Sequence, residues 1–199
     1  MNKIDRRCEK ILFSHQQIVA ACKKAAKWID KKFKNKKLTI VGVLNGSVPF
    51  IAELIKHITI DFRLRFVEYH SYFGGVVSVN KSKVAVNLKV DVADNHVLLI
   101  DDVVDTGWTM LNLKNSLLLK NNAKSVSLMC MIDKPSKHEI DLGNLYSCFK
   151  LKNEFVVGFG LDYQEFMRGI PYIGIINKSI YEKEFKKAKR NQISNNLRK

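Results

Sequence analysis

The chain has 199 residues, 46% of them hydrophobic, which is enough to bury one sizeable core, and it carries a formal net charge of +15. No apolar run reaches membrane-spanning length and the charged residues 3–10 lack an apolar h-region, so neither an anchor nor a signal peptide is indicated, and a cytoplasmic location is expected. Cys8, Cys22, Cys130 and Cys148 are too irregularly spaced for a metal knuckle or redox motif, and the basic excess gathers in Lys-rich stretches (31–37, 183–199) without interleaved aromatics, so a nucleic-acid partner is not expected.

Ser14-His15-Gln16-Gln17 is a capping box, and Ile18, Cys22, Ala25, Ile29 and Phe33 follow at helical spacing. They predict an amphipathic helix to about Lys34, packed on a sheet, with His15 solvated. Residues 38–44 read as a β-branched strand that breaks at Asn45-Gly46-Ser47 before a second helix from about Val48 to Lys56, with Pro49 in its first turn. Ile60, Phe62, Leu64 and Phe66 alternate with Asp61, Arg63 and Arg65 as a half-buried strand. Residues 68–83 then turn polar around Gly74 and Gly75, and Val84, Val86, Leu88, Val90 and Val92 alternate on the way back, like two arms of a hairpin.

Residues 97–110 read Val-Leu-Leu-Ile-Asp-Asp-Val-Val-Asp-Thr-Gly-Trp-Thr-Met. An apolar strand ends on two adjacent carboxylates, Asp101 and Asp102, and Val103 and Val104 lead to Asp105 and a small loop that opens a helix. Thr106, Gly107, Trp108 and Thr109 offer consecutive N–H groups and two hydroxyls at the positive end of a helix dipole, where a phosphate is favoured. Asp101 and Asp102 repel phosphate but suit ribose hydroxyls or magnesium. An isolated pair of this kind would be an ordinary acidic turn with Asp105 or Thr106 as the helix cap. The helix carries Met110, Leu113, Leu117 and Leu118, and a strand over 125–132 closes on Asp133-Lys134-Pro135-Ser136, at the carboxyl edge where open α/β sheets collect ligands. Residues 155–163 form a short strand and turn entered by Phe155, and residues 173–176 are expected to end the sheet. From Tyr181 a basic helical pattern carries no motif.

The ordered stretch from Val97 to Met110 resembles the phosphoribosyl pyrophosphate (PRPP) motif of the type I phosphoribosyltransferases: apolar strand, two acids, two apolar residues, Asp, Thr or Ser, Gly, any residue, Thr. The likeness extends over residues 8–181. It implies an α/β fold with a twisted parallel sheet flanked by helices, in one domain over 1–199, with a hood from about 1–15 and 150–181, a lid at 68–83 and a basic tail at 182–199. The purine-specific members of the family are matched most closely, which implies transfer of ribose 5-phosphate from PRPP to N9 of a 6-oxopurine, with magnesium as cofactor.

The resemblance also implies roles for particular residues. Asp101 to Thr109, including Val103 and Val104, would hold PRPP, with Asp105 as general base near N7 of the purine. Asn45, Gly46 and Ser47, with Arg168, would meet pyrophosphate; Asn45 stands where the family usually has lysine, so backbone recognition is kept and charge assistance is not. Lys134, Phe155, Val156, Leu161 and Asp162 would form the base pocket, with Ser71 and Tyr72 on the lid. Asp101, Asp102 and Asp162 would face the metal. A homodimer or homotetramer is implied. Two alternatives stand: a PRPP-sensing, nucleic-acid-binding regulator of the same fold, and an enzyme preferring xanthine.

Overall fold

The computed structural model describes residues 4–69 and 90–180. The lid residues Ser71 and Tyr72, most of the return arm and the tail at 182–199 lie outside these. Strand β1 (Cys8–Phe13) leads into helix α1 (His15–Lys32), strand β2 (Leu38–Leu44), helix α2 (Ser47–Leu54) and strand β3 (Phe62–Glu68). Beyond residue 90 come β4 (His96–Val104), α3 (Trp108–Leu119), β5 (Ser125–Asp133), β6 (Leu145–Lys150), β7 (Val156–Val157) and β8 (Ile173–Ile176).

The capping box forms as its spacing requires: Ser14 Oγ accepts from Gln17 N at 3.3 Å, and Gln17 Oε1 accepts from Ser14 N at 2.9 Å. Such a cap contributes about 1 kcal/mol to the helix start. Ile18, Cys22, Ala25, Ala26 and Ile29 turn one face of α1 inward, while His15 stays exposed. The second helix starts one residue before its expected position and passes into a 3-10 turn at Ile55–His57.

Five parallel strands form the main sheet in the order β3-β2-β4-β5-β6. Being covered on both faces, β2 and β4 are almost wholly apolar inside, without strict alternation. Residues of α1 and α2 pack in one core cluster with Ile40, Leu98 and Ile100, whereas Met110, Leu113 and Leu117 of α3 pack in a second with Val41, Val97 and Leu99. The chain therefore leaves β2 towards one face and β4 towards the other. The loops after these neighbouring strands diverge, which opens a crevice at the carboxyl edge between them, the place where a doubly wound sheet admits ligands.

One expectation is corrected. Ile173–Ile176 does not end the main sheet; it is the middle strand of a separate three-stranded sheet, antiparallel to both β1 and β7. Its partner β1 lies at the other end of the chain, so pairing across the whole chain, which no local pattern reports, decides its place. The edge of the main sheet is instead β6, a half-exposed strand without a clear alternating pattern. Val156, Phe159, Leu161 and Ile173 of the small sheet and its turns pack in the same cluster as α1 and α2, which fixes the small sheet over the carboxyl edge.

Candidate active site

Asp101 and Asp102 close β4 at the crevice. Asp101 is 8% exposed, and its Oδ1 accepts from Asp102 N at 2.9 Å; Asp102 Oδ1 accepts from Val103 N at 2.9 Å. Burial pushes both carboxyls above the ordinary range, at Asp101 with added repulsion from its neighbour, while the Arg168 guanidinium pulls Asp102 the other way. A buried acid and a half-buried one, without a bonded cation among the described residues, favour a ligand that brings positive charge or hydroxyl donors.

The loop after β2 lies directly on this pair. Gly46 has ordinary helical dihedrals (φ −65°, ψ −33°), so its need for glycine is one of space: a Cβ there would sit 1.7 Å from Asp102 Oδ2. On the other side, a Cβ at Gly160 would lie 2.0 Å from the Gly46 carbonyl oxygen. The loop is thus held between the acidic pair and the small sheet. Asn45 is exposed, and the Leu44–Asn45 peptide is cis. Ser47 is fully buried and its hydroxyl donates to Val43 O at 2.5 Å, so of this residue only the backbone is offered to a ligand.

After β4 the chain turns through Asp105 and Thr106 to Gly107, which caps α3 with φ +90°, a left-handed conformation that glycine adopts without cost. The first-turn N–H groups of α3 have no carbonyl within the helix to bond, and they open onto the loop, with the Thr106 and Thr109 side chains half-buried beside them. This is a cradle for an anion at the same edge as the acidic pair.

Asp105 sits between two lysines. Lys134 Nζ is 3.1 Å from Oδ1, an ion contact without hydrogen-bond alignment, and Lys137 Nζ is 3.7 Å from Oδ2. Lys134 is 6% exposed, and its backbone N–H bonds Val104 O at 3.0 Å, extending the β4–β5 ladder into the site. Lys137 was not singled out by the sequence. The signal was present in Pro135, which begins the 3-10 turn over Pro135–Lys137 and so places Lys137 one short turn from Lys134.

The strand end of β5 is tied to the segment before β7: Leu151 N bonds Asp133 O at 2.9 Å and Ser136 Oγ bonds Lys152 O at 3.4 Å. That brings Phe155, with 43% of its surface open, to the same edge as Lys134; its ring meets Tyr163 edge-on, with centroids 5.8 Å apart. Val156 and Leu161 are buried behind it. Asp162 and Arg168, expected to serve different ligands, form one pair. Arg168 Nη1 lies 2.9 Å from Asp162 Oδ1 and donates to Gly160 O at 2.7 Å, while Asp162 Oδ2 accepts from Glu165 N at 2.8 Å.

The family model of the phosphoribosyl transferase domain matches residues 9–164, spanning the β2 loop, the acidic pair, the α3 cradle and the turn at Asp162. The chain belongs to the phosphoribosyltransferase family. It is 38% identical over 173 residues to a hypoxanthine-guanine phosphoribosyltransferase of Streptococcus pneumoniae, covering 87% of this chain and 96% of that protein. A Mycoplasma genitalium enzyme of the same name is also 38% identical, over 84% of this chain and 95% of its own length. Among solved structures, a Staphylococcus aureus hypoxanthine phosphoribosyltransferase superposes with a TM-score of 0.81 at 32% identity, covering 91% of this chain and 98% of that one. The expected fold, a twisted parallel sheet flanked by helices, is the one found. Among the described residues no helix is long and apolar enough to cross a membrane.

Proposed function

We propose that this phosphoribosyltransferase salvages purines by moving ribose 5-phosphate from PRPP to N9 of hypoxanthine, and of guanine, releasing pyrophosphate. The observation that carries this reading is the Asp105–Lys134 contact at the base side of the crevice. It puts a carboxylate that takes a proton and an ammonium that donates to an exocyclic oxygen side by side, the pair a 6-oxopurine needs at N7 and O6. Names of relatives over most of the chain point the same way. Phe155 stacks on the base, the backbone of Val156 meets its edge, and Leu161 backs the pocket.

In this reading the α3 cradle, from Thr106 to Thr109, binds the 5′-phosphate, and Val103 and Val104 set its distance from the acids. Asp101 and Asp102 take the ribose hydroxyls. Backbone groups of Asn45, Gly46 and Ser47 face pyrophosphate, and Arg168 turns a second guanidinium edge to it while Asp162 holds the first.

Magnesium suits the acidic pair. Among the described residues no group of three or more His, Cys, Asp or Glu side chains forms a complete protein site. Two adjacent carboxylates, buried Asp101 and half-buried Asp102, are what an ion bound largely through water and substrate phosphates asks of a protein, with Asp162 at the margin because its oxygens already serve Arg168 and Glu165. When bound, the ion neutralises negative charge on the departing pyrophosphate. The protein works as one folded domain in a reducing cytosol, its four described cysteines free, and assembles as a dimer or tetramer.

The deciding experiment is a spectrophotometric assay with magnesium, PRPP and, in turn, hypoxanthine, guanine, xanthine, adenine and uracil. Turnover with hypoxanthine is the expected result. Turnover with xanthine alone would make it a xanthine enzyme, and none with any base would move the chain to a PRPP-sensing regulator.

A further inference from the structure

Trp108 occupies the variable position of the phosphate loop, and its side chain is engaged with a separate segment. The indole Nε1 donates to Glu139 Oε2 at 2.8 Å, and Glu139 N donates to Thr106 O at 3.0 Å, so the loop grips the residue through both its side chain and its backbone. Just beyond, Ile140 and Leu142 press on Gly107; a Cβ there would lie 3.1 and 3.3 Å from them. Five residues before Glu139 stands Lys134, and two before it Lys137, the two cations at Asp105. The segment is therefore anchored at Lys134 N on Val104 and again at Glu139 on the phosphate loop, with Lys137 between the anchors.

We propose that Trp108 and Glu139 are a positioning pair that fixes the phosphate loop and the lysine-bearing segment as one unit, so that the N–H groups meeting the 5′-phosphate and the cations facing Asp105 keep one geometry. The ligand served is the phosphate end of the sugar-phosphate donor. An indole suits this place because it donates one hydrogen bond from a rigid ring, and Glu139 contributes as an acceptor and not as a charge, since an anion beside a phosphate site is unfavourable in itself. The proposal rests on the PRPP reading of the loop given above.

The test is a kinetic double-mutant cycle with Trp108→Phe, Glu139→Ala and both together, plus Glu139→Gln. Trp108→Phe keeps the ring and removes the donor. The expected result is a KM for PRPP raised about fivefold in each single variant, with kcat within about twofold and the double variant no worse than either single. Glu139→Gln, which keeps an oxygen for the indole, holds PRPP at least as well as the parent. A stability role alone would lower the melting temperature and leave this KM split unmoved. Unchanged PRPP KM in both single variants, additive losses, or a Glu139→Gln variant as impaired as Glu139→Ala would each overturn the proposal. Calorimetric titration of the parent and each variant with PRPP and magnesium reads the same cycle as dissociation constants. If the parent transfers to no base yet the cycle couples in PRPP binding, the acceptor reading falls and the positioning pair stands.

Discussion

Replacing Gly46 with alanine adds one methyl group at the tightest contact of the site. The new Cβ would meet Asp102 Oδ2 at 1.7 Å and its Cγ at 2.4 Å, and Gly46 is already in an α-helical conformation, so backbone strain plays no part. Either the loop lifts away from the acidic pair or the carboxylate swings aside and gives up its bond from Val103 N. Forcing a methyl into a packed site costs about 1–3 kcal/mol, and a lost hydrogen bond at a buried acceptor about 1 kcal/mol more. The expected destabilisation is thus roughly 2–4 kcal/mol, a fall in melting temperature of about 5–12 °C for a chain this long. The KM for PRPP rises together with it, because both the loop proposed to meet pyrophosphate and an acid proposed to hold the sugar are displaced. Thermal unfolding and PRPP-saturation kinetics measure the two effects. Adding Asp102→Ala to Gly46→Ala removes the obstruction, and most of the lost stability returns while activity stays low. A Gly46→Ala protein with parental melting temperature and KM would refute the close packing of loop on acid.

Asp105→Asn is expected to cut turnover by about 10²–10⁴-fold while PRPP binding stays near the parental value, measured by steady-state kinetics beside calorimetry; near-normal turnover would remove the general base. Asp101→Asn addresses the buried acid. An unfolded aspartate ionises near 3.8, whereas burial holds the proton on folded Asp101 to higher pH, so the folded state binds more protons and stability falls as pH rises above 3.8 towards the folded value. The ligand-free Asn variant is therefore more stable than the parent, by a margin that grows with pH over that window. Parallel melting curves of the two proteins across pH would contradict this. At the Tyr163–Phe166 hairpin, Gln164 and Glu165 both have positive φ (51° and 68°), as a type I′ turn demands and side-chain-bearing residues resist. Exchanging them for Asn-Gly is expected to add about 1 kcal/mol, raising the melting temperature by roughly 2–4 °C; a decrease would show that these side chains are needed for the turn.

What the sequence disclosed follows from the range over which each signal acts. The cap at Ser14, the strand breaks at Asn45 and Asp105, and the apolar runs of β2, β4 and β5 are local, and the structure carries each of them. Strands β1 and β6 passed unnoticed because one begins with the adjacent charges Glu9 and Lys10 and the other is half-exposed without an apolar stripe; β1 exists because the distant β8 pairs with it, and β6 because β5 does. The same distinction runs through the site. The PRPP motif is contiguous, so its elements were legible at once. The Asp105–Lys134–Lys137 cluster, the Asp162–Arg168 pair and the Trp108–Glu139 bond join residues across loops, and their partners became visible only when the segments were placed together.

The small sheet over the crevice sets a timetable for synthesis. Its middle strand, β8, pairs with β1, and the Asp5–Tyr172 hydrogen bond closes a separation of 167 residues. At about 5–20 residues per second, a growing chain exposes β1 on the order of ten to thirty seconds before β8 is made. The acidic pair and the phosphate cradle are complete much earlier, since β2, β4 and α3 precede β8 by more than fifty positions. A nascent chain thus owns the elements proposed to bind the sugar phosphate well before it has the base pocket. A ribosome stalled between β5 and β8 would present the half-site proposed for PRPP with β1 still lacking its partner, open to chaperones and proteases.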